Sequence, residues 1–217
     1  EVRVMAVLEA VAEASKGKGP TIVSLSLGGA DSARQTPLSE LIKGLISEGV
    51  GVVIAAGNAG PNQGTVLLPG LSGQAVVVAA ASGAGLQFYS SRGTPEEPGV
   101  TWTDVVDDLP AGGGVSDSAS KTFGTAATAE RSAQNLSALT RVMSEAMTAR
   151  GRAMPRGWFQ YLTALVKSTL SAMPGQADYE VGAGLYDAPQ RALDLLNVRL
   201  NDPDAVVRES ERLADGR

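Results

Sequence analysis

A continuous apolar segment in the first third of the chain says more about its fold than any other feature. Residues 50–56 read VGVVIAA, without one polar side chain. Strands covered on both faces show such runs, whereas strands with one face in water alternate polar and apolar residues. Residues 75–81 form a similar run, residues 21–27 (TIVSLSL) read as a further strand, and a helical pattern lies between residues 27 and 50. We therefore predict a three-layer α/β fold, in which a mainly parallel sheet carries helices on both faces.

Local signals mark the other expected elements. Thr36 can cap a helix that begins at Pro37, and Gly49 ends it. Further helices are expected at residues 2–16, at about 126–149, after Pro155 and at 189–196. Further strands are expected at residues 86–91 and 100–106, with a hairpin arm at 179–185 and a long surface connection over 94–122. We assign residues 1–200 to one domain, and the charged residues 201–217 to a tail or a peripheral helix.

The composition excludes several classes of function. The 18 basic and 23 acidic residues are interspersed and give a net charge of −5, which argues against a nucleic-acid surface. No apolar run approaches the roughly 18 residues of a membrane span, so we expect no membrane partner. The chain has no cysteine and no histidine. It therefore has neither a thiolate metal site nor a side chain that ordinarily titrates near neutral pH.

We predict no cofactor and no metal site, with a structural calcium ion kept open as an alternative. Carboxylate oxygens are the usual ligands of calcium, although solvated acidic loops have the same composition. The aspartates that could supply them are Asp104, Asp107, Asp108, Asp202 and Asp204. The cellular compartment stays open. Because the chain begins at Glu1 rather than Met, we expect a fragment or processed piece of a longer protein.

Short motifs follow the predicted strands in order. The first strand leads into SLGG at residues 26–29, and the second into AAGN at 55–58. Residues 88–93 read FYSSRG, residues 124–126 read GTA, and residues 179–188 contain the spacing G-x-G-x-x-x-A. Ligands of α/β proteins bind at the carboxyl ends of parallel strands, so the carboxamide of Asn58 is a candidate functional group. The structural alternative is a turn that merely ends a core strand.

In this order the motifs resemble those of the subtilisin-like serine proteases, or subtilases. The resemblance implies the C-terminal part of a subtilisin-like catalytic domain that hydrolyses polypeptide substrates. It implies that Asn58 donates a hydrogen bond to the oxyanion and that Ala126 stands where the nucleophilic serine belongs. The substrate-binding positions that it implies are Ser26, Leu27, Gly28, Ala56, Gly57 and Thr125.

The chain also departs from the subtilase pattern. Ala126 has no hydroxyl, so the chain as written cannot use the triad mechanism, and whether it is an enzyme stays open. The Asp and His of the triad would have to come from an upstream segment or chain. Three explanations of Ala126 remain: an engineered replacement of serine, a natural pseudoprotease, or a misalignment. We interpret neighbouring serines such as Ser132 as loop or helix-surface hydroxyls.

Two functions of other classes compete with the protease interpretation. The first is a catalytically inactive module that binds extended peptides or proteins along residues 26–28. The second is an unrelated nucleotide-binding α/β domain, for which the turn at Gly28 and Gly29 is a poor phosphate site. The native codon for position 126 discriminates the protease from the binding module, because serine favours the protease and alanine the binding module.

Overall fold

The computed structural model describes residues 2–28, 36–66, 70, 74–82, 85–106 and 117–216. Its strands are β1 (Thr21–Leu25), β2 (Val50–Ala55), β3 (Val76–Ser82), β4 (Gly85–Leu86), β5 (Trp102–Val105) and β6 (Leu185–Tyr186). Its helices are α1 (Val2–Ser15), α2 (Pro37–Ser47), α3 (Asp117–Thr148), α4 (Trp158–Lys167), α5 (Asp178–Val181), α6 (Pro189–Arg199) and α7 (Pro203–Ala214).

The sheet is parallel apart from one short strand. β1, β2, β3, β5 and β6 lie side by side in that order with parallel neighbours, whereas β4 folds back antiparallel on β3. Every residue of β2 is buried, whichever face it points to, and so is every residue of β3 except the last. Helices cover both faces, so the predicted α/β architecture is confirmed.

The start of α2 follows the predicted capping signals. Thr36 Oγ1 accepts a hydrogen bond from the Ser39 N–H at 3.1 Å, and Ser39 Oγ accepts one from the Thr36 N–H at 2.9 Å. Pro37 occupies the first helical turn, where a missing N–H costs nothing. Gly49, with a φ of 89°, then turns the chain into β2.

The strand predicted at residues 86–91 is wrong beyond its first residue. β4 ends at Leu86, and the Ser90 N–H donates to the Gln87 carbonyl at 3.0 Å, which closes a turn. The Ser90 hydroxyl oxygen then accepts the N–H of Ala80 at 3.1 Å. A side chain thus satisfies a donor of β3 that a longer β4 would have to satisfy through its backbone.

The hairpin arm predicted at residues 179–185 is also wrong. The chain forms the single-turn helix α5 and then β6, which runs parallel to β5. Gly182, with a φ of 67°, makes the turn between them, and its N–H donates to the Asp178 carbonyl at 2.7 Å. A two-residue strand carries too little alternation to be recognised from sequence.

Helix α3 is longer than the sequence pattern predicts. It begins at Asp117 rather than near residue 126, and it spans 32 residues. No proline stands between positions 110 and 155, and Gly124 costs a helix interior only about 1 kcal/mol. The predicted surface connection therefore ends before residue 117, and residues 107–116 lie outside the described part of the chain.

The core lies between α3 and the sheet, and the C-terminal helices close it. α3 contacts β1, β2, β3 and β5, and its Leu136, Met143 and Met147 are fully buried. α7 packs on α4 at Gly157, where a Cβ atom would overlap the Ser210 carbonyl. None of the helices within the described ranges combines the length and apolarity needed to cross a membrane.

Candidate active site

Strand β2 carries Asn58 out of the sheet at its carboxyl end. β2 ends at Ala55, and the Ala56 N–H still donates to the Val78 carbonyl of β3 at 2.9 Å. Gly57, with a φ of 103°, then turns the chain, which few other residues could do without strain. Asn58 therefore stands on a stiff base, one turn beyond a fully buried strand.

The side chain of Asn58 contacts the residue that precedes position 126. Its Oδ1 accepts hydrogen bonds from Thr125 Oγ1 at 2.8 Å and from the Thr125 N–H at 3.3 Å. A backbone N–H can only donate, so the oxygen is the end of the carboxamide that faces α3. The two NH hydrogens of the carboxamide are consequently directed away from Thr125.

The FYSSRG motif contacts both the AAGN motif and the GTA motif. The Ser91 N–H donates to the Gly57 carbonyl at 2.9 Å, which fixes the base of the Asn58 loop. Tyr89 is buried and lies so close to Gly124 that a Cβ atom at position 124 would overlap its ring. Burial also raises the pKa of the Tyr89 phenol, because the ionised form would lose its hydration. The AAGN, FYSSRG and GTA motifs thus converge at one place.

Ala126 lies deeper in α3 than the resemblance implies. The helix begins at Asp117, so residue 126 falls in its third turn, and its side chain is half-buried. Backbone N–H groups in a helix interior donate to the carbonyls one turn earlier, unlike those of the first turn. The expectation that residue 126 opens the helix is therefore wrong, and its N–H is not placed as a free first-turn donor.

The other predicted substrate-binding residues leave the sheet at the same edge. β1 ends at Leu25, two residues before the predicted end, and Leu25 lies beside Ile54 of β2. Ser26 and Gly28 are exposed, whereas Leu27 packs partly against the core. Residues 26–28 and Asn58 therefore follow neighbouring parallel strands.

A buried polar network near β5 escaped the sequence analysis. Asp104 is fully buried, and its Oδ2 accepts the hydroxyl of Ser132 at 2.6 Å. The Ser132 oxygen in turn accepts the indole N–H of Trp102 at 3.0 Å. Arg131 Nε lies 3.6 Å from Asp104 Oδ1, so the carboxylate has a cationic neighbour. Ser132 is fully buried, so its assignment as a helix-surface or loop hydroxyl is wrong.

The candidate calcium ligands have other contacts. Asp104 belongs to the network with Ser132, Asp202 caps α7 through the Ala205 N–H at 3.0 Å, and Asp204 pairs with Arg152 at 2.6 Å. Asp107 and Asp108 lie outside the described part of the chain. Within that part, no three acidic side chains gather closely enough to hold a metal ion.

Two large hollows lie away from the motifs. One, of about 740 Å³, lies where α1, α2 and α3 end, and the other, of about 970 Å³, lies between α4, α6 and α7. Neither is lined by Asn58 or Ala126. The convergence of the motifs, rather than cavity size, therefore defines the candidate site.

The chain is similar to several proteases. An extracellular protease of Xanthomonas campestris pv. campestris is 28% identical over 179 residues, which cover 81% of this chain and 29% of that protein. The chain thus spans less than a third of the length of this relative.

Solved structures show the same likeness at the level of the fold. The prenylagaramide maturation protease PagA has 17% identity and a TM-score of 0.61, with 88% of this chain and 67% of that chain covered. A mutant of the protease domain of PatA has 21% identity and a TM-score of 0.60, with 86% and 63% covered. The model of the subtilase family matches residues 1–149, a span that holds Asn58, Thr125 and Ala126, and the chain belongs to that family.

Proposed function

We propose that this chain is the C-terminal part of the catalytic domain of a subtilisin-type serine peptidase that acts on polypeptides. Asn58 is the oxyanion donor, and Ala126 stands at the position of the nucleophile. The Asp and His of the triad come from an upstream segment or chain. The observation that carries the proposal is the hydrogen bond between Thr125 Oγ1 and Asn58 Oδ1, 2.8 Å long, which joins two motifs 67 residues apart.

The contact between Thr125 and Asn58 is relevant to the chemistry of acyl transfer. Negative charge develops on the substrate oxygen in the transition state, and a donor that is already oriented stabilises it without reorganisation. Thr125 fixes the Oδ1 end of the Asn58 carboxamide, so the Nδ2 end is the one that donates to an oxyanion. An extended substrate adds as a strand along Ser26, Leu27 and Gly28, beside the turn at Gly57.

A peptide- or protein-binding pseudoprotease is the second candidate, and one observation favours it. Residue 126 carries a methyl group and lies in the third turn of α3, away from the free N–H groups of a helix start. A peptide that pairs along residues 26–28 needs neither a nucleophile nor those donors to bind. Such a module retains an extended peptide without cleaving it.

A serine-directed probe separates the two candidates. We expect the Ala126→Ser variant, combined with an upstream segment that carries the Asp and His, to react with a fluorophosphonate at residue 126. The matched control is Ala127→Ser, which adds an exposed hydroxyl at the next position. Equal labelling of both variants, or of neither, would contradict the peptidase proposal. Retention of an extended peptide by the unaltered chain in that case would favour the binding module.

A further inference from the structure

Ser91 holds the peptide groups on both sides of Asn58. Its N–H donates to the Gly57 carbonyl at 2.9 Å, and its hydroxyl oxygen accepts the N–H of Ala59 at 3.1 Å. Ser91 is fully buried, so water does not compete well for these bonds. One bond from the backbone of Ser91 and one to its side chain therefore fix the chain immediately before and immediately after Asn58.

The absence of a side chain at Gly57 permits the close approach of Ser91. A Cβ atom at position 57 would lie 2.9 Å from Ser91 Oγ, which is closer than such atoms approach in proteins. Glycine thus serves twice here, because it also adopts the φ of 103° that the turn requires. The close approach of Ser91 and the turn that presents Asn58 depend on the same residue.

The segment that contains Ser91 is itself fixed at both ends. On one side, the Ser90 N–H donates to the Gln87 carbonyl at 3.0 Å, and the Gln87 N–H donates to the Ala80 carbonyl of β3 at 2.8 Å. On the other side, Arg92 Nη1 pairs with Glu180 of α5 at 2.7 Å, and both side chains are largely buried. A central strand and α5 therefore hold the segment around Ser91 in place, and Ser91 in turn holds the loop after β2.

We infer that Ser91 is the positioning residue for Asn58. Thr125 fixes the Oδ1 end of the carboxamide, and Ser91 fixes the backbone from which the side chain projects. The inference rests on the proposed role of Asn58 as oxyanion donor, since that role requires the amide to stay within a fraction of an ångström of one place. Ser91 itself touches neither substrate nor oxyanion.

The Ser91→Ala variant tests the inference, and Ser90→Ala is its matched control. Both serines are fully buried in the same motif, and each hydroxyl oxygen accepts one backbone N–H. Only the Ser91 hydroxyl contacts the Asn58 loop. We expect both variants to lose similar stability in urea. We expect only Ser91→Ala to shift the side-chain NH2 resonances of Asn58 and to speed their motion in nitrogen-15 relaxation.

A kinetic measurement on the assembled Ala126→Ser enzyme adds a second outcome. Misplacement of a donor that acts in the transition state lowers kcat and leaves KM nearly unchanged. We expect a decrease in kcat of roughly 10- to 100-fold for Ser91→Ala, because a shift of about 1 Å can cost that much. Ser90→Ala leaves both constants close to those of its parent.

The two readouts separate failure of this inference from failure of the proposed function. If the Asn58 resonances are unchanged in Ser91→Ala, or change equally in both variants, the positioning inference is overturned. If the resonances change only in Ser91→Ala and kcat does not fall, the positioning inference stands and the oxyanion role of Asn58 is overturned. The resonance experiment uses the chain with Ala126 in place, so it requires no catalysis.

Discussion

Replacement of Gly124 by alanine tests whether the motifs converge as described. In an ordinary helix, Gly→Ala stabilises by about 0.5–1 kcal/mol, because alanine loses less backbone entropy on folding. At position 124 the new Cβ atom would overlap the ring of Tyr89, which is 4% exposed and has no solvent to move into. Overpacking of a buried site costs about 1–3 kcal/mol. We therefore expect a net loss of about 1–2 kcal/mol.

Gly44→Ala is the matched control for this prediction. Gly44 lies inside α2, and a Cβ atom there would meet nothing within 4 Å. Alanine should therefore stabilise the protein by about 0.5–1 kcal/mol at this position. Urea unfolding followed by the fluorescence of Trp102 and Trp158, both buried, measures the two changes. The two variants should differ in sign and by about 2 kcal/mol.

Equal stabilisation by the two substitutions would refute the reasoning. It would mean that Tyr89 does not lie against Gly124, and the link between the FYSSRG and GTA motifs would be lost.

The same substitution should also have a local effect on the backbone. Because Thr125 follows Gly124 directly, we expect Gly124→Ala to accelerate hydrogen exchange at the Thr125 N–H, whereas Gly44→Ala leaves it unchanged.

Two further substitutions test the buried polar groups. Ser132→Ala should lower the free energy of unfolding in urea by about 2–4 kcal/mol, because it removes a bond to the Asp104 carboxylate and leaves the Trp102 indole N–H without its acceptor. Its control is Ser137→Ala, which removes a hydroxyl that bonds only the helix backbone and should change stability by less than about 0.5 kcal/mol. Tyr186→Phe should stabilise by about 1 kcal/mol, because the buried Tyr186 hydroxyl has no hydrogen-bond partner among the described residues. Burial, and secondarily the Asp104 charge, raise the pKa of Tyr186 above its usual value of 10.0. The folded state thus keeps a proton that the unfolded state loses. Above pH 10 this one group should therefore lower stability by up to about 1.4 kcal/mol per pH unit, so the total slope should be smaller in Tyr186→Phe. A steeper slope in Tyr186→Phe, or destabilisation by Ser132→Ala no larger than that by Ser137→Ala, would contradict these assignments.

Local chemistry in the sequence predicted the fold class and several boundaries. The α2 start at Pro37 was predictable, because capping by Thr36 and the fixed φ of proline act within one helical turn. The buried strands were predictable because their side chains are apolar on both faces. The resemblance predicted roles for Asn58 and Thr125, whereas their hydrogen bond is visible only in the structure.

The features that the sequence did not predict depend on distant partners. Ser132 looks like a helix-surface serine in isolation, and its partner Asp104 is 28 residues away. The indole of Trp102, which needs an acceptor when buried, was the one local sign of a polar group nearby. The early start of α3 had no local sign at all, since small polar residues fit both a loop and a helix.

The side chain at position 126 takes no part in the buried hydrophobic cluster that holds the sheet and helices together. A methyl and a hydroxymethyl group at this position should therefore differ little in their effect on folding stability. A serine at position 126 could be gained or lost in a single substitution with little penalty in folding. The proposed nucleophile position can therefore vary without loss of the scaffold that surrounds it.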